Sequence, residues 1–573
     1  MKKLWKYLRG YRRDSVLGPL FKLFEATLEL IVPLVIAKIV DVGIVGGDHG
    51  YIIKMCLVLV ALGIVGLGFS VTAQFFAARA SVGFITRVRH ELFSHVGRLS
   101  YTDLDTLGTS TLITRMTTDA SRVQTGLNLT LRLLLRSPFV VFGAMIMAFS
   151  IDVSSGVSFA VTIPLLSVVI FGIMLITTPL FKKVQGGVDK ILSRTRENLS
   201  GARVVRAFAK EEDEVRAYKA ENDALTGAQK RAGHVSALLN PLTYVIINLG
   251  IIFLIYVGAL RVELGELTQG EVLALYNYMS QILVELIKLA NLIISVTKAL
   301  ASASRISAVL STEPSQSYGI TTGGIHGAPA VEMRDVSLRY RSAGDTSLSG
   351  VSFTANCGEF IGIIGGTGSG KSTLVNLIPR FYDATSGEVL VSGVPTSEYA
   401  EGVLTKKIAV VPQRAELFSG TVRDNLTWRK PDATDEELYR ALEIAEAGDF
   451  IREKGGLLAR CEGGGKNFSG GQRQRLTIAR ALVGEPEILI LDDSTSALDY
   501  ATDLRLRTSL KKLRDTTVFI VSQRTASVMS CDKIIVLEDG RLEAIGTHEQ
   551  LLQKSIVYRE IYDSQFMGGD DYE

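Results

Sequence analysis

A short glycine-rich stretch, IGIIGGTGSGKST (residues 361–373), carries residues that could bind phosphate. Gly365, Gly370, Lys371 and Ser372 fit the pattern G-x-x-x-x-G-K-[ST], in which the glycines let backbone N–H groups surround phosphate oxygens. The lysine can reach the β- and γ-phosphates of a nucleotide, and the serine hydroxyl can bind Mg²⁺. The pattern predicts a nucleoside triphosphate and Mg²⁺ as ligands.

Polar side chains also follow apolar runs further along the chain. Asp492 ends the run ILIL and could hold Mg²⁺ through a water, while Gln413 ends VVPQ and could reach the metal or the attacking water. FSGGQRQR, residues 468–475, places a Gly-Gly turn before a helix, which presents N–H groups to an anion. An apolar run that ends in aspartate is weak evidence alone, so the order of these elements decides.

That order resembles the nucleotide-binding domain of ATP-binding-cassette (ABC) transporters. The resemblance covers roughly residues 330–565, and the first half of the chain looks like the six-helix domain of the exporter branch. It implies that ATP lies between two such domains, so that one copy cannot complete a site. It assigns Ser372, Gln413 and Asp492 to Mg²⁺, and to ATP it assigns Tyr340 (stacking on adenine), Gly365, Gly366, Thr367, Gly368, Ser369, Gly370, Lys371, Ser372, Thr373, Ser469, Gly470, Gly471 and Gln472.

Two residues depart from the family pattern. Asp493 stands where the family has the glutamate that polarises water, and Gln523 stands where it has the switch histidine; with Gln413 they are the predicted catalytic residues. The aspartate carboxylate falls about 1 Å or more short, which can cost roughly 10²-fold in rate. Glutamine can hydrogen-bond a γ-phosphate but gains no proton near neutral pH. We expect slow hydrolysis with good ATP binding; conservative replacement with activity retained is the alternative.

The signature at 469–472 is intact apart from Phe468, which replaces the usual preceding leucine. An intact signature beside altered hydrolytic residues resembles one half of a heterodimeric exporter, in which this chain would complete the partner's competent site. The expected partner is a second ABC half-transporter, a paralogous subunit with consensus catalytic residues. A homodimer with two slow sites and an ATP-gated channel or sensor subunit remain open.

Composition favours a membrane protein. The chain of 573 residues is 47% apolar, with a net charge of only +3 and a mean hydropathy of +0.26. A net charge this small does not favour binding to nucleic acid. The expected partners are membrane lipid and a small amphipathic substrate. Four scattered cysteines without metal spacing indicate free thiols in a reducing compartment.

The predicted fold is multidomain. It has an all-α transmembrane domain of six helices at 1–310, a linker at 311–328 and an α/β P-loop ATPase domain at 329–573. Each span is an apolar stretch of about twenty residues or more. The six spans are predicted at roughly 16–42, 53–78, 130–151, 156–181, 235–260 and 270–297.

Charge predicts the orientation. The connections near 43–51, 152–155 and 261–268 hold one basic residue, whereas the N-terminus and the excursions at 79–129 and 182–234 are rich in Arg and Lys. Such basic segments stay in the cytoplasm, and so does the ATPase domain. Segments 117–124 and 197–208 resemble the family's two coupling helices. Analogy with half-size pumps indicates the bacterial cytoplasmic membrane.

Charged residues also fall inside predicted spans. Lys22, Glu25 and Glu29 share one helical face of the first span, and Glu285 and Lys288 share one on the sixth. Such residues usually face a cavity or a partner. They predict either a polar lining for the transport path, receptive to amphipathic cations, or Lys–Glu pairing between helices.

Overall fold

The computed structural model describes residues 4–341 and 344–566. The chain forms two compact units. The first comprises the described residues up to Gly97 together with Ser110–Thr312, and the second comprises Arg98–Thr109 and the described residues from Glu313 onward. The last seven residues of the predicted ATPase domain, 567–573, lie outside the described residues.

The first half of the chain is helical. Two of its helices contain 48 residues each, which at 1.5 Å per residue gives about 72 Å, more than twice the bilayer's hydrocarbon thickness. A 3-10 helix, Trp5–Tyr11, comes first, and π-helical turns lie at Ile39–Ile44 and Arg115–Asp119. The α-helices are α1 (Arg12–Lys38), α2 (His49–Val96), α3 (Tyr101–Leu107), α4 (Thr109–Thr114), α5 (Ala120–Leu133), α6 (Arg136–Ile151), α7 (Val153–Ser200), α8 (Ala202–Ala207), α9 (Glu211–Ala237), α10 (Leu239–Glu263) and α11 (Gln269–Val309).

Five helical stretches of the described residues are long and apolar enough to cross a membrane. The first of the six predicted spans, 16–42, is helical but is not among them, because α1 carries too many charged side chains for its length. The other five predictions fall on stretches that qualify. These are His49–Val96, Thr109–Ile151, Val153–Ser200, Glu211–Glu263 and Gln269–Val309.

The charged side chains of α1, α6 and α11 pair with one another. The buried Arg136 guanidinium donates to carboxylates on both neighbouring helices, at 2.6 Å in each case. Ser137 adds a hydroxyl to one of these carboxylates at 2.9 Å. The predicted Lys–Glu pairing between helices is wrong in its partners: each Lys–Glu pair lies within one helix, three residues apart, and Arg136 makes the pairs between helices. A role in lining the transport path remains a prediction. The ion pairs are Lys22–Glu25, Arg136–Glu29, Arg136–Glu285 and Lys288–Glu285.

The second unit combines three β-sheets with short helices. Its strands are β1 (Val331–Leu338), β2 (Leu348–Ala355), β3 (Phe360–Gly365), β4 (Ser386–Val391), β5 (Val394–Pro395), β6 (Ile408–Val411), β7 (Gly420–Thr421), β8 (Arg460–Cys461), β9 (Ile488–Asp492), β10 (Thr517–Val521), β11 (Lys533–Glu538) and β12 (Arg541–Gly546). Its helices, besides α3, are α12 (Lys371–Leu377), α13 (Val403–Lys407), α14 (Val422–Leu426), α15 (Asp435–Ile444), α16 (Gly448–Glu453), α17 (Gly470–Leu482), α18 (Tyr500–Leu510), α19 (Thr525–Val528), α20 (His548–Lys554) and α21 (Ile556–Phe566). Single 3-10 turns lie at Thr396–Glu398, Gly456–Leu458 and Gly463–Gly465.

The largest sheet positions the site. Its strand order is β12-β11-β3-β10-β9-β6, and all neighbours pair in parallel except β12. Strands β3, β9 and β10 are buried along their whole length, as expected for parallel strands covered on both faces. Because parallel strands end at one edge, Gly365, Asp492 and Val521 meet there. The predicted fold class, a helical transmembrane domain followed by an α/β ATPase domain, is confirmed.

Candidate functional site

The glycine loop joins β3 to α12. Gly368 and Gly370 have left-handed backbones, with φ of 86° and 92°. A Cβ on Gly370 would lie 2.8 Å from Leu348 Cδ2 and 2.9 Å from the Ser347 carbonyl oxygen. Glycine is therefore required at position 370 for both conformation and space.

Lysine and serine follow this loop and face the strand ends. Lys371 Nζ donates to the carbonyl oxygens of Gly365 at 2.9 Å and Gly366 at 2.6 Å. Ser372 Oγ donates to Asp492 Oδ1 at 2.9 Å. Burial lowers the pKa of Lys371 and raises the pKa of Asp492. A bound anion would stabilise the buried positive charge of Lys371, and a bound cation would stabilise the buried negative charge of Asp492.

Asp493 and Gln523, the residue at the position of the family's switch histidine, line the same cavity as Lys371 and Ser372. Asp493 has φ of 46°, and its N–H donates to the Val521 carbonyl oxygen at 3.0 Å. Its Oδ2 accepts a hydrogen bond from Gln413 Nε2 at 3.1 Å. Gln523 lines the same cavity. The three predicted catalytic residues therefore share one site.

The cavity has a volume of about 820 Å³, within the usual range for ligand pockets. Several lining residues were not predicted. Asp539 and Gly540 form a turn between β11 and β12, with φ of 45° and 75°, and their Asp-Gly pair is the sequence signal that could have placed it. The cavity is lined by Gly344, Asp345, Thr346, Ser347, Thr367, Gly368, Ser369, Gly370, Lys371, Ser372, Thr373, Gln413, Asp492, Asp493, Val521, Gln523, Asp539 and Gly540.

The donor set fits Mg²⁺ held jointly by protein and nucleotide. No group of three or more His, Cys, Asp or Glu side chains among the described residues could hold a metal ion. Ser372 and Asp492 instead supply a hydroxyl and a carboxylate side by side, and Gln413 supplies an amide oxygen. Mg²⁺ commonly takes one or two such protein oxygens together with phosphate and water. Asp492 is 8% exposed, and its only hydrogen-bond donor among the described residues is Ser372.

Tyr340 lies beside the glycine loop but outside this cavity. Its hydroxyl donates to Thr373 Oγ1 at 3.2 Å, and its ring meets Tyr382 edge-on at 5.0 Å. Both tyrosines line a smaller cavity of about 270 Å³. The structure thus ties Tyr340 to the loop, and its stacking on adenine remains a prediction.

The signature residues also lie outside the cavity. Ser469 and Gln472 form a reciprocal cap at the start of α17: Gln472 N–H donates to Ser469 Oγ at 3.3 Å, and Ser469 N–H donates to Gln472 Oε1 at 3.1 Å. Ser469 and Gly470 are exposed. The neighbouring Phe468 is buried and packs against Phe450, with ring centroids 6.4 Å apart.

Both predicted coupling segments, 117–124 and 197–208, lie in the first unit, and their coupling role stays a prediction. Residues 117–124 belong to the first unit, where the buried Asp119 pairs with arginines of that unit. The segment that clusters with the second unit is Arg98–Thr109, which contains α3. Its Asp103 accepts a hydrogen bond from Ser315 N–H at 2.9 Å, and its Asp105 accepts one from the Tyr382 hydroxyl at 2.7 Å.

Together these features define a P-loop ATPase domain, joined in one chain to helices that can span a membrane. Residues 16–286 match the family model described as ABC transporter transmembrane region, and residues 348–496 match the model described as ABC transporter. The chain belongs to the ABC transporter family. In this family the ATPase domain implies ATP binding and hydrolysis coupled to transport across a membrane.

Relatives match along the whole chain. An uncharacterized ABC transporter ATP-binding protein of Mycobacterium tuberculosis is 36% identical over 98% of this chain and 97% of its own length. YfiB of Bacillus subtilis, with the same description, is 34% identical over 99% of both chains. A solved bacterial Atm1-family ABC exporter with ATP bound has the same fold, with a TM-score of 0.79, 23% identity and coverage of 98% and 99%.

Proposed function

We propose that this chain is one half of a heterodimeric ABC exporter and carries its slow ATP site. The pump would export a hydrophobic or amphipathic substrate across the bacterial cytoplasmic membrane. The intact signature of this chain, residues 469–472, would complete the competent ATP site of a paralogous subunit. The observation that carries the proposal is the pair Asp493 and Gln523, which share one cavity with the glycine loop.

The contacts of Asp493 support slow hydrolysis. A carboxylate must lie within about 3 Å of the attacking water to polarise it. The short side chain of Asp493 instead accepts a hydrogen bond from Gln413 Nε2. Gln413 is the other residue predicted to contact the attacking water. Gln523 can stabilise a γ-phosphate by a hydrogen bond but cannot supply the positive charge of a protonated histidine.

The remaining residues of the cavity support tight ATP binding. The glycine loop and Lys371 would hold the phosphates, and Ser372, Asp492 and Gln413 would hold Mg²⁺. Mg²⁺, when bound, neutralises phosphate charge. None of these residues departs from the family pattern, so binding would remain while hydrolysis slows.

The exposed signature supports completion of a second site elsewhere. Ser469 and Gly470 are exposed and do not line this chain's cavity. The reciprocal cap with Gln472 fixes the start of α17, so its N–H groups would face a partner without reorganisation. A dimer is the arrangement in which this surface would contact ATP.

The substrate class is inferred from a relative and from the side chains of the first unit. A Bacillus subtilis protein that is 28% identical over 99% of both chains is named provisionally for multidrug export. An amphipathic substrate would suit the apolar helices of the first unit and the half-exposed Glu29 on α1.

Two substitutions test the division of labour. Asp493→Asn should leave total ATPase of the assembled pump nearly unchanged, whereas Ser469→Ala should nearly abolish it, because only the second change reaches the partner's site. ATPase activity of the purified pump gives the comparison. Equal partial losses would contradict the asymmetry and favour a homodimer with two slow sites.

A transport assay separates a pump from a channel or sensor. In inside-out vesicles a pump accumulates a fluorescent amphipathic cation against its gradient only with ATP. An ATP-gated channel would dissipate that gradient, and a sensor would leave it unchanged. Either of those results would contradict export.

A further inference from the structure

The C-terminal helix α21 contacts the segment that carries the switch glutamine. Gln565 Nε2 donates to the backbone carbonyl oxygen of Gln523 at 2.8 Å. Gln565 Oε1 accepts from the backbone N–H of Thr525, also at 2.8 Å. One side-chain amide therefore binds the backbone on both sides of Arg524. Only a side chain that both donates and accepts can make this pair of contacts.

Helix α21 presents Gln565 from a fixed position. Tyr558, at its first turn, is fully buried, and its hydroxyl shares a hydrogen bond with His548 Nδ1 of α20 at 2.7 Å. At the other end, the rings of Tyr562 and Phe566 stack with centroids 4.7 Å apart. The helix packs against β3, β11 and α19. Gln565 itself is exposed, near the C-terminal end of this helix.

The segment held by Gln565 is linked to the second aspartate. Arg524 Nη2 donates to the Ser496 carbonyl oxygen at 3.3 Å, and Ser496 Oγ donates to the Asp493 carbonyl oxygen at 2.8 Å. Asp493 N–H in turn donates to Val521 at the end of β10. A shift of the switch backbone would therefore reach both residues that set the rate of hydrolysis.

We propose that Gln565 is a positioning residue that fixes the backbone around Gln523 so that the Gln523 side chain faces the γ-phosphate. Gln565 does not line the cavity among the described residues, so it acts through the backbone that it holds, on either side of Arg524. The proposal rests on the proposed function in one respect, the assignment of Gln523 to the γ-phosphate.

The test replaces Gln565 in the full-length, assembled transporter. Gln565→Leu removes donor and acceptor; Gln565→Glu keeps only the acceptor. Gln553→Leu, at an exposed glutamine of α20, is the matched control. Radiolabelled azido-ATP is bound, chased with unlabelled ATP for increasing times and then photo-crosslinked, so the label that remains on this chain gives the half-time of nucleotide release. We expect Gln565→Leu to shorten it about 3- to 10-fold, the equivalent of about one hydrogen bond, with KM for ATP unchanged within about twofold.

A double mutant separates positioning from general stability. In a Gln523→Ala background, Gln565→Leu should have a much smaller effect, because the side chain that Gln565 positions through the backbone is already absent. Additive effects, or a Gln565→Leu variant that behaves like Gln553→Leu, would overturn the proposal. Failure of the proposed function gives a different result, because the unmodified chain would then hydrolyse its bound ATP quickly. The ratio of nucleotide-release half-times between the variant and the unmodified chain would still test Gln565.

Discussion

A longer carboxylate at position 493 should speed hydrolysis at this chain's own site. Asp493→Glu adds one methylene and extends the side chain by about 1.5 Å. It also lets the carboxylate move beyond the Gln413 amide that now binds it at 3.1 Å. If a misplacement of about 1 Å costs roughly 10²-fold, restoring the reach lowers the barrier by about 2.7 kcal/mol.

Backbone strain opposes part of this gain. Asp493 has φ of 46°, in the left-handed region that aspartate tolerates better than glutamate. The full penalty for an ordinary residue there is about 1–2 kcal/mol. Subtracting it from the gain leaves about 0.7–1.7 kcal/mol, so the net acceleration should be about 3- to 20-fold.

The assay is single-turnover hydrolysis of radiolabelled azido-ATP crosslinked to this chain, which excludes the partner's activity. Asp493→Asn is the control, since it keeps the length and the backbone but removes the charge, and it should not accelerate hydrolysis. An Asp493→Glu rate equal to or below that of the unmodified chain would refute the reasoning that carboxylate reach limits this site.

Three further predictions concern stability and binding. Arg136→Ala should lower stability by about 1–3 kcal/mol, because it removes the guanidinium that bridges Glu29 and the buried Glu285 and leaves Glu285 only Lys288 and Ser137 among the described residues. Denaturation in detergent measures this. Arg132→Ala, which removes no ion pair among the described residues, should cost less than about 1 kcal/mol. Gly370→Ala should lower the unfolding temperature, because its Cβ would crowd Leu348; an unchanged temperature would contradict the assigned close contact. Burial raises the pKa of Asp492, so its carboxylate should take up a proton at a higher pH than an ordinary aspartate. Affinity for Mg²⁺-ATP should therefore begin to fall at that higher pH as the solution is acidified. Equilibrium binding titrations at a series of pH values check this, and an affinity that does not change with pH would contradict it.

The ATP site could be predicted because its geometry is local. The run from Gly365 to Ser372 is continuous in sequence, and Asp492 follows a buried strand that must end at the same edge of the sheet. Tyr382 and Gln565 could not be predicted. Their contacts, with Asp105 and with the Gln523 backbone, join residues far apart in sequence through tertiary packing.

The length of apolar stretches gave a mixed result in the membrane half. It placed five stretches correctly, because an apolar run long enough to cross a bilayer is a local property. It could not pair Arg136 with Glu29 and Glu285, which are 107 and 149 residues away. Nor could it show that Arg98–Thr109 clusters with the second unit, where Asp103 contacts Ser315.

The most direct test of the central claim is the composition of the native assembly. This chain, tagged and purified from its native membrane, should co-elute with a similar-sized paralogue at a one-to-one ratio by quantitative mass spectrometry. The paralogue should carry glutamate and histidine at the positions of Asp493 and Gln523. If the assembly contains only this chain, those two residues must support the whole cycle, and the proposed division into a slow and a competent site is wrong.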